Sequence, residues 1–234
     1  MTKGGNKTLV ITGASKGIGF ETAIRFLQMG YRVMNISRSP APHQDIENFP
    51  IDLLDANVEA EISSLVSNQL AKSEICLVHN AAILLNDTAS STDTGSFSQV
   101  MRLNVTAPHI LNQHILPLME SGSSIIYIGS TLSEKAVAGT YSYVVSKHAL
   151  VGMMKACCQD LANTGIHTCC ICPGFTDTEM LREHVGENID SIAALSTFGR
   201  IIAPSEIANT IKFAAQNAVI NGAVIHANLG QVES

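Results

Sequence analysis

Short apolar runs and amphipathic stretches alternate along almost the whole chain, and the hydrophobic period switches with them. Residues 8–12 form a β-rich apolar run that meets glycines, and the following stretch places Ala23, Phe26 and Leu27 at helical spacing before Gly30 stops it. The same reading predicts further strands over 31–36, 49–53, 75–79, 124–128, 167–172 and 223–227, and helices over 56–71, 96–120, 141–163 and 205–216. Pro40 and Pro42 break the stretch 39–48, so the crossover helix usual between parallel strands is missing there. Residues 86–95 are polar and read as a surface loop.

Strands separated by helical patterns predict an α/β protein. Its sheet is mostly parallel and doubly wound, the middle of three layers, with helices on both faces and right-handed crossovers. The 234 residues show no composition shift or linker, so residues 1–234 read as one domain. In such folds ligands bind beyond the carboxyl ends of the strands. Gly13, Asn80, Ser130 and Pro173 each fall at or just past a predicted strand end, which brings four motifs distant in sequence to one crevice.

Charge and cysteine usage narrow the function. A formal net charge of −6 with no basic stretch leaves no footprint for a nucleic-acid backbone. Lys3 and Lys7 precede an apolar run, but Thr12, Gly13 and Lys16 cut it short of a signal-peptide core, and no run reaches membrane-spanning length. The expectation is a cytoplasmic protein acting on a small molecule, with neither nucleic acid nor membrane as partner. Cys169 and Cys172 make a formal CxxC pair. Their run reads as a buried strand, in which positions three apart face opposite ways, so ordinary buried thiols are expected. The histidines show no ligand spacing, and no metal site is predicted.

The chemistry sits in the motifs. Gly13, Gly17 and Gly19, with Ser15, Lys16 and Ile18 between them, allow a tight turn and a helix N-terminus whose free N–H groups face anionic oxygens. A dinucleotide site reads its ribose at the end of the second strand, where an acid would accept from a 2′-hydroxyl. Here Ser37 and Arg38 stand there, and Arg38 with Lys16 suits a 2′-phosphate, so NADP(H) is favoured over NAD(H). Tyr143 and Lys147 lie one helical turn apart, thirteen residues after Ser130. An ammonium beside the phenol favours its ionisation, and the three groups together suit protonation of a carbonyl oxygen. Tyr141 has Val145 at the same spacing and lacks such a partner. Pro108 has no N–H to offer the Asn104 carbonyl four residues earlier, leaving it free to hold a water near Lys147.

With TGASKGIG at 12–19, Asp52-Leu53, Asn80-Ala81-Ala82, Asn104, Ser130, Tyr143 with Lys147, and PGFTDT at 173–178, the chain resembles the classical short-chain dehydrogenases/reductases over nearly its full length. The resemblance implies a Rossmann-type sheet and a catalytic set of Asn104, Ser130, Tyr143 and Lys147. It also implies Asp52 and Leu53 near the adenine, Asn80, Ala81, Pro173 and Gly174 around the cofactor, and Thr176 and Thr178 near the nicotinamide and pyrophosphate. A carbonyl or alcohol substrate and a homodimer or homotetramer are likewise implied. Three positions depart from the pattern: Ala82 replaces a glycine, Asn228-Leu229-Gly230 replaces Asp-Gly-Gly, and the substrate lid, 179–198, is short.

Specificity is expected around Leu84, Leu132, Val137, Phe175 and the lid. There Met180, Leu181, Ile189, Ile192, Leu195 and Phe198 either line an apolar wall or pin the lid to the core. Arg182 and Arg200 either meet an acidic substrate or are solvated surface cations. Two rival readings are a dinucleotide sensor without turnover, which would need a damaged catalytic set, and a nucleotide-sugar epimerase, which would need a larger C-terminal region.

Overall fold

The computed structural model describes residues 7–231, with Glu187 described in its backbone only. Lys3, and the ends of the span expected as one domain, lie outside the described residues. Seven parallel strands form one sheet in the order β3-β2-β1-β4-β5-β6-β7. They are β1 Lys7–Thr12, β2 Arg32–Ile36, β3 Ile46–Phe49, β4 Glu74–His79, β5 Ser124–Ile128, β6 His167–Pro173 and β7 Ala223–Ala227. The expected doubly wound sheet with helices on both faces is what the chain builds.

The strands are apolar on both faces because both are covered. Val10, Ile125, Tyr127 and Cys170 face one core. That core is closed by α2 (Val58–Gln69), α4 (Ala107–Ile115) and α5 (Tyr141–Asp160). Leu9, Ile11, Ile126, Cys169 and Ile171 face the other, under α1 (Gly17–Gln28) and α8 (Pro204–Gln216). Cys169 and Cys172 therefore do point to opposite faces, all six cysteines are free, and the described residues hold no cluster of metal ligands.

Two elements differ from the sequence pattern. The third strand is Ile46–Phe49 rather than 49–53, while residues 50–53 run on past its end. As an edge strand β3 buries only Ile46 fully, so its polar Glu47 and Asn48 hide it from a hydrophobic reading. Arg32 on β2 grips Glu47 with two hydrogen bonds of 2.8 and 2.6 Å. The long helix predicted over 96–120 is interrupted. It runs as α3 (Thr94–Met101), a π-helical turn over Arg102–Thr106, α4, and a 3-10 turn at Leu116–Leu118. Pro108 at the start of α4 and Pro117 in the 3-10 turn lack the donors that a regular helix would use.

One polar chain crosses the first core. His79 Nε2 lies 2.8 Å from Asn112 Oδ1, the Asn112 amide donates to the Tyr127 hydroxyl at 2.8 Å, and that hydroxyl donates to Cys157 Sγ at 3.4 Å. Burial holds the imidazole of His79 down at about 4, against the hydrogen bond to Asn112, so it is neutral near pH 7.

Between β1 and β4 the sheet order reverses, and the loops leaving these strands part to opposite faces. The parting is tied by Thr12, whose hydroxyl accepts from the N–H of Asn80 at 3.0 Å and of Ala81 at 2.9 Å. Thr12→Val keeps the shape but leaves both donors without a partner. It is expected to lower stability by about 2 kcal/mol in urea unfolding, and an unchanged midpoint would refute this assignment.

Candidate active site

The glycine turn follows β1 directly. Gly13 takes φ of 71° and donates its N–H to Ile36 O at 3.0 Å, a backbone conformation that side chains rarely adopt. Gly19 is required for a different reason. A Cβ there would sit 2.2 Å from Gly13 O and 2.7 Å from Asn80 Nδ2, so the turn closes onto the first turn of α1. Lys16 occupies the N-cap position of α1 without a capping hydrogen bond from its side chain, leaving the helix N-terminus open to an anion. The turn is steered from outside the motif by Asn35 in β2, fully buried, whose Oδ1 accepts from Ala14 N at 2.9 Å. Sequence reasoning missed Asn35. Its signal was an amide inside an otherwise apolar strand.

The carboxyl ends of the strands open onto a cavity of about 830 Å³. Its wall takes in Gly13, Ser15, Lys16, Gly17 and Ile18 from the turn, Ser37 and Arg38 after β2, and Asp52 and Leu53 after β3. Asn80 and Ala81 follow β4, and Pro173, Gly174, Thr176 and Thr178 come from the end of β6 and the segment behind it. Ser130, Tyr143 and Lys147 face the same space. Of the catalytic and cofactor-binding residues expected from the sequence, Gly19 and Asn104 do not. Gly19 packs under the turn, and Asn104, buried in the π-helical turn, acts one layer back.

The Asn104 side chain, rather than only its carbonyl, is committed. Its Oδ1 accepts from Ile83 N, and its amide donates to Ile83 O and to Ser146 Oγ, each at 2.9 Å. It therefore fastens the loop after β4 to α5. Ser146, which lies beside Lys147 in sequence and accepts this bond, carried no motif signal.

Tyr143 and Lys147 sit on α5, whose start is held by buried Asp87 accepting from Ser142 N at 3.1 Å. Both are nearly enclosed, at 7% and 3% exposure. Lys147 Nζ donates to Ile128 O at 2.7 Å and lies 5.3 Å from the Tyr143 ring centroid. Burial pushes the phenol up to about 12, although its hydrogen bond with Ser130 opposes the rise. The phenol is therefore not lowered as expected: burial dominates, and what opposes it is the hydrogen bond with Ser130 rather than the Lys147 ammonium. Burial also takes the Lys147 amine from 10.5 to about 8. Ser130 opens a 3-10 turn, Thr131–Ser133, with its hydroxyl accepting from Leu132 N at 3.1 Å.

The segment expected as a lid, 179–198, contains two short helices, α6 (Glu179–Val185) and α7 (Ile189–Ala193). Thr178 caps α6 by accepting from Leu181 N at 3.3 Å. Met180, Leu181, Ile192 and Leu195 line the cavity, as do Leu84, Leu132, Val137 and Phe175. Phe198 instead is 70% exposed. The far end of the lid is pinned by Thr197, whose N–H and hydroxyl both reach Leu229 O, at 3.2 and 2.9 Å. Leu229 reaches that pose at φ of 51°, in the left-handed region that a glycine would enter freely.

Three of the expected cations are paired. Lys16, read as half of a 2′-phosphate clamp, forms an ion pair with Glu179. Arg182 bonds Asp177 at 2.7 Å and Arg200 bonds Glu206 at 2.7 and 2.8 Å, and neither lines the cavity.

The chain is similar to known proteins in sequence and in fold. The family profile described as Enoyl-(Acyl carrier protein) reductase matches residues 13–231. The 3-oxoacyl-[acyl-carrier-protein] reductase FabG of Rickettsia bellii is 31% identical over 235 residues, 97% of each chain. The chain belongs to the short-chain dehydrogenase/reductase family. Among other relatives of this oxidoreductase, Protein FixR of Bradyrhizobium diazoefficiens is 29% identical across 98% of this chain and 88% of its own. A short chain dehydrogenase family protein from Francisella tularensis shares the fold at a TM-score of 0.87, with 24% identity over 95% of this chain and 97% of its own. A blue fluorescent protein from a metagenomic library, solved in complex with NADPH, has a TM-score of 0.85 and 26% identity, covering 95% of this dehydrogenase/reductase and 97% of its own chain.

An amine held near 8 when folded and at 10.5 when free binds fewer protons in the folded than in the unfolded state between those values. Stability contributed by Lys147 therefore rises with pH from about 8 to 10.5. Urea unfolding at a series of pH values is expected to show this rise in the wild type, and Lys147→Met is expected to flatten it. Equal slopes in the two proteins would overturn the assignment.

Proposed function

We propose that this chain is an NADP(H)-dependent oxidoreductase that interconverts a carbonyl and a secondary alcohol, with Tyr143 as general acid and base. The observation that carries this reading is one cavity shared by a phenol, a hydroxyl hydrogen-bonded to it and a buried ammonium, beside an open helix N-terminus. When bound, the nicotinamide ring supplies or accepts the hydride. The protein's own groups do the rest. At neutral pH a phenol raised to about 12 carries its proton, which suits it to donate to a carbonyl oxygen during reduction. Ser130 hydrogen-bonds the same oxygen and stabilises the charge developing there. Lys147 holds the nicotinamide ribose and offsets the phenolate left behind, while Asn104 keeps the proton relay in position.

The residues present fit a dinucleotide. Backbone N–H groups of the glycine turn and Thr178 suit the pyrophosphate, Asp52 and Leu53 the adenine, and Asn80, Ala81 and Thr176 the nicotinamide half. Ser37 and Arg38, where an acid would read a 2′-hydroxyl, favour the phosphorylated cofactor. Lys16 joins Arg38 on that phosphate by exchanging its Glu179 partner for it. NADPH in the metagenomic relative agrees with this preference. We further propose a cytoplasmic homodimer or homotetramer built from one such domain per chain.

Tyr143→Phe is expected to lower kcat by roughly a hundredfold or more, with NADPH affinity unchanged in a fluorescence titration. Wild-type turnover in this variant would refute the role of the phenol. Arg38→Ala is expected to weaken NADPH binding about tenfold and leave NADH binding alone. Equal weakening of both would refute the phosphate assignment.

A further inference from the structure

We infer that the substrate of this crevice is an uncharged, predominantly apolar ketone, or the secondary alcohol it interconverts with. This deepens the oxidoreductase reading and rests on it. The cavity lining takes in Leu84 and Val137 together with Met180, Leu181, Ile192 and Leu195 of the lid segment, whose polar contributions include His184 and Asn188. Val137, Met180 and Leu195 are 56%, 37% and 40% exposed, so the wall presents apolar surface to water before any ligand covers it. Grouped exposed hydrophobics rimming a groove mark a surface that gains by being covered.

The cations around this wall are compensated. Arg182 pairs with Asp177, and Lys16, which pairs with Glu179, is the cation taken by the cofactor phosphate in the reading above. Lys135 has an interaction of its own, and Lys147 is buried with its ammonium on Ile128 O. A carboxylate or phosphate on the substrate would have to break one of these pairs or lose its water against leucine and methionine side chains. A neutral chain or ring meets neither penalty and gains about fourfold in affinity for each methylene it buries.

The test is a homologous series of 2-alkanones, from pentanone to decanone, against oxo acids of equal length with a terminal carboxylate, each reduced with NADPH. The expected result is kcat/KM rising about fourfold per methylene through KM, with the oxo acids at least roughly tenfold poorer at each length. Leu195→Glu and Val137→Glu, both at exposed positions, are expected to flatten the series while NADPH affinity stays as in the wild type. A flat series, or preference for the oxo acids, overturns the inference and leaves the oxidoreductase reading standing. If NADPH binds and nothing turns over, the catalytic reading fails. The wall is then read by calorimetry of 2-alkanols on the NADP complex, where affinity independent of chain length overturns the inference.

Discussion

The hydroxyl of Thr12, held between β1 and β4 by two backbone donors, fixes the place where the sheet order reverses. Parallel order obliges the chain to cross over after each strand, and only at this reversal do neighbouring crossovers depart to opposite faces. Asn80 completes the tie by donating to Thr12 O at 2.9 Å and Gly13 O at 3.1 Å. The glycine turn, the Asn80 loop and the cavity between them are set by these few bonds. Asn35 adds a third strand to the same anchorage through Ala14.

The second level of order is side chain on backbone rather than side chain on side chain. Asn104 reaches both polar groups of Ile83, Lys147 reaches Ile128 O, and Asp87 reaches Ser142 N. Each joins a strand end or a loop at the mouth of the sheet to α5 or to the π-helical turn. The irregular stretch between α3 and α4 thus places Asn104 in contact with a loop, where a straight helix with Pro108 in its interior would lose a hydrogen bond.

Much of this was legible in the sequence. Strand ends marked by Gly13, Asn80, Ser130 and Pro173 do open on one cavity. Period alone located the central strands because both their faces are buried. It failed at β3, where an edge strand has Glu47 and Asn48 in place of apolar residues, and across 96–120, where a helical period continues through a change of helix type. Helical spacing placed Tyr143 near Lys147 but said nothing of burial, which decides the protonation of both. Charge partners were the least legible. Lys16, Arg182 and Arg200 find their acids 163, 5 and 6 residues away, and the first of these distances is set by the fold.

The two margins of the sheet are unlike. β3 ends one side with Glu47 gripped by Arg32, and a strand added there would have to strip water from a doubly bonded ion pair. β7 ends the other side with Val224 and Ile225 half-buried, and with His226 bonded to Glu134 at 2.8 Å. Its deterrent to stray strand pairing is a single imidazole–carboxylate contact that ties the outer strand to the 3-10 turn after β5. The sheet is guarded against misassociation by a doubly bonded guanidinium at one margin and by one side-chain tether at the other.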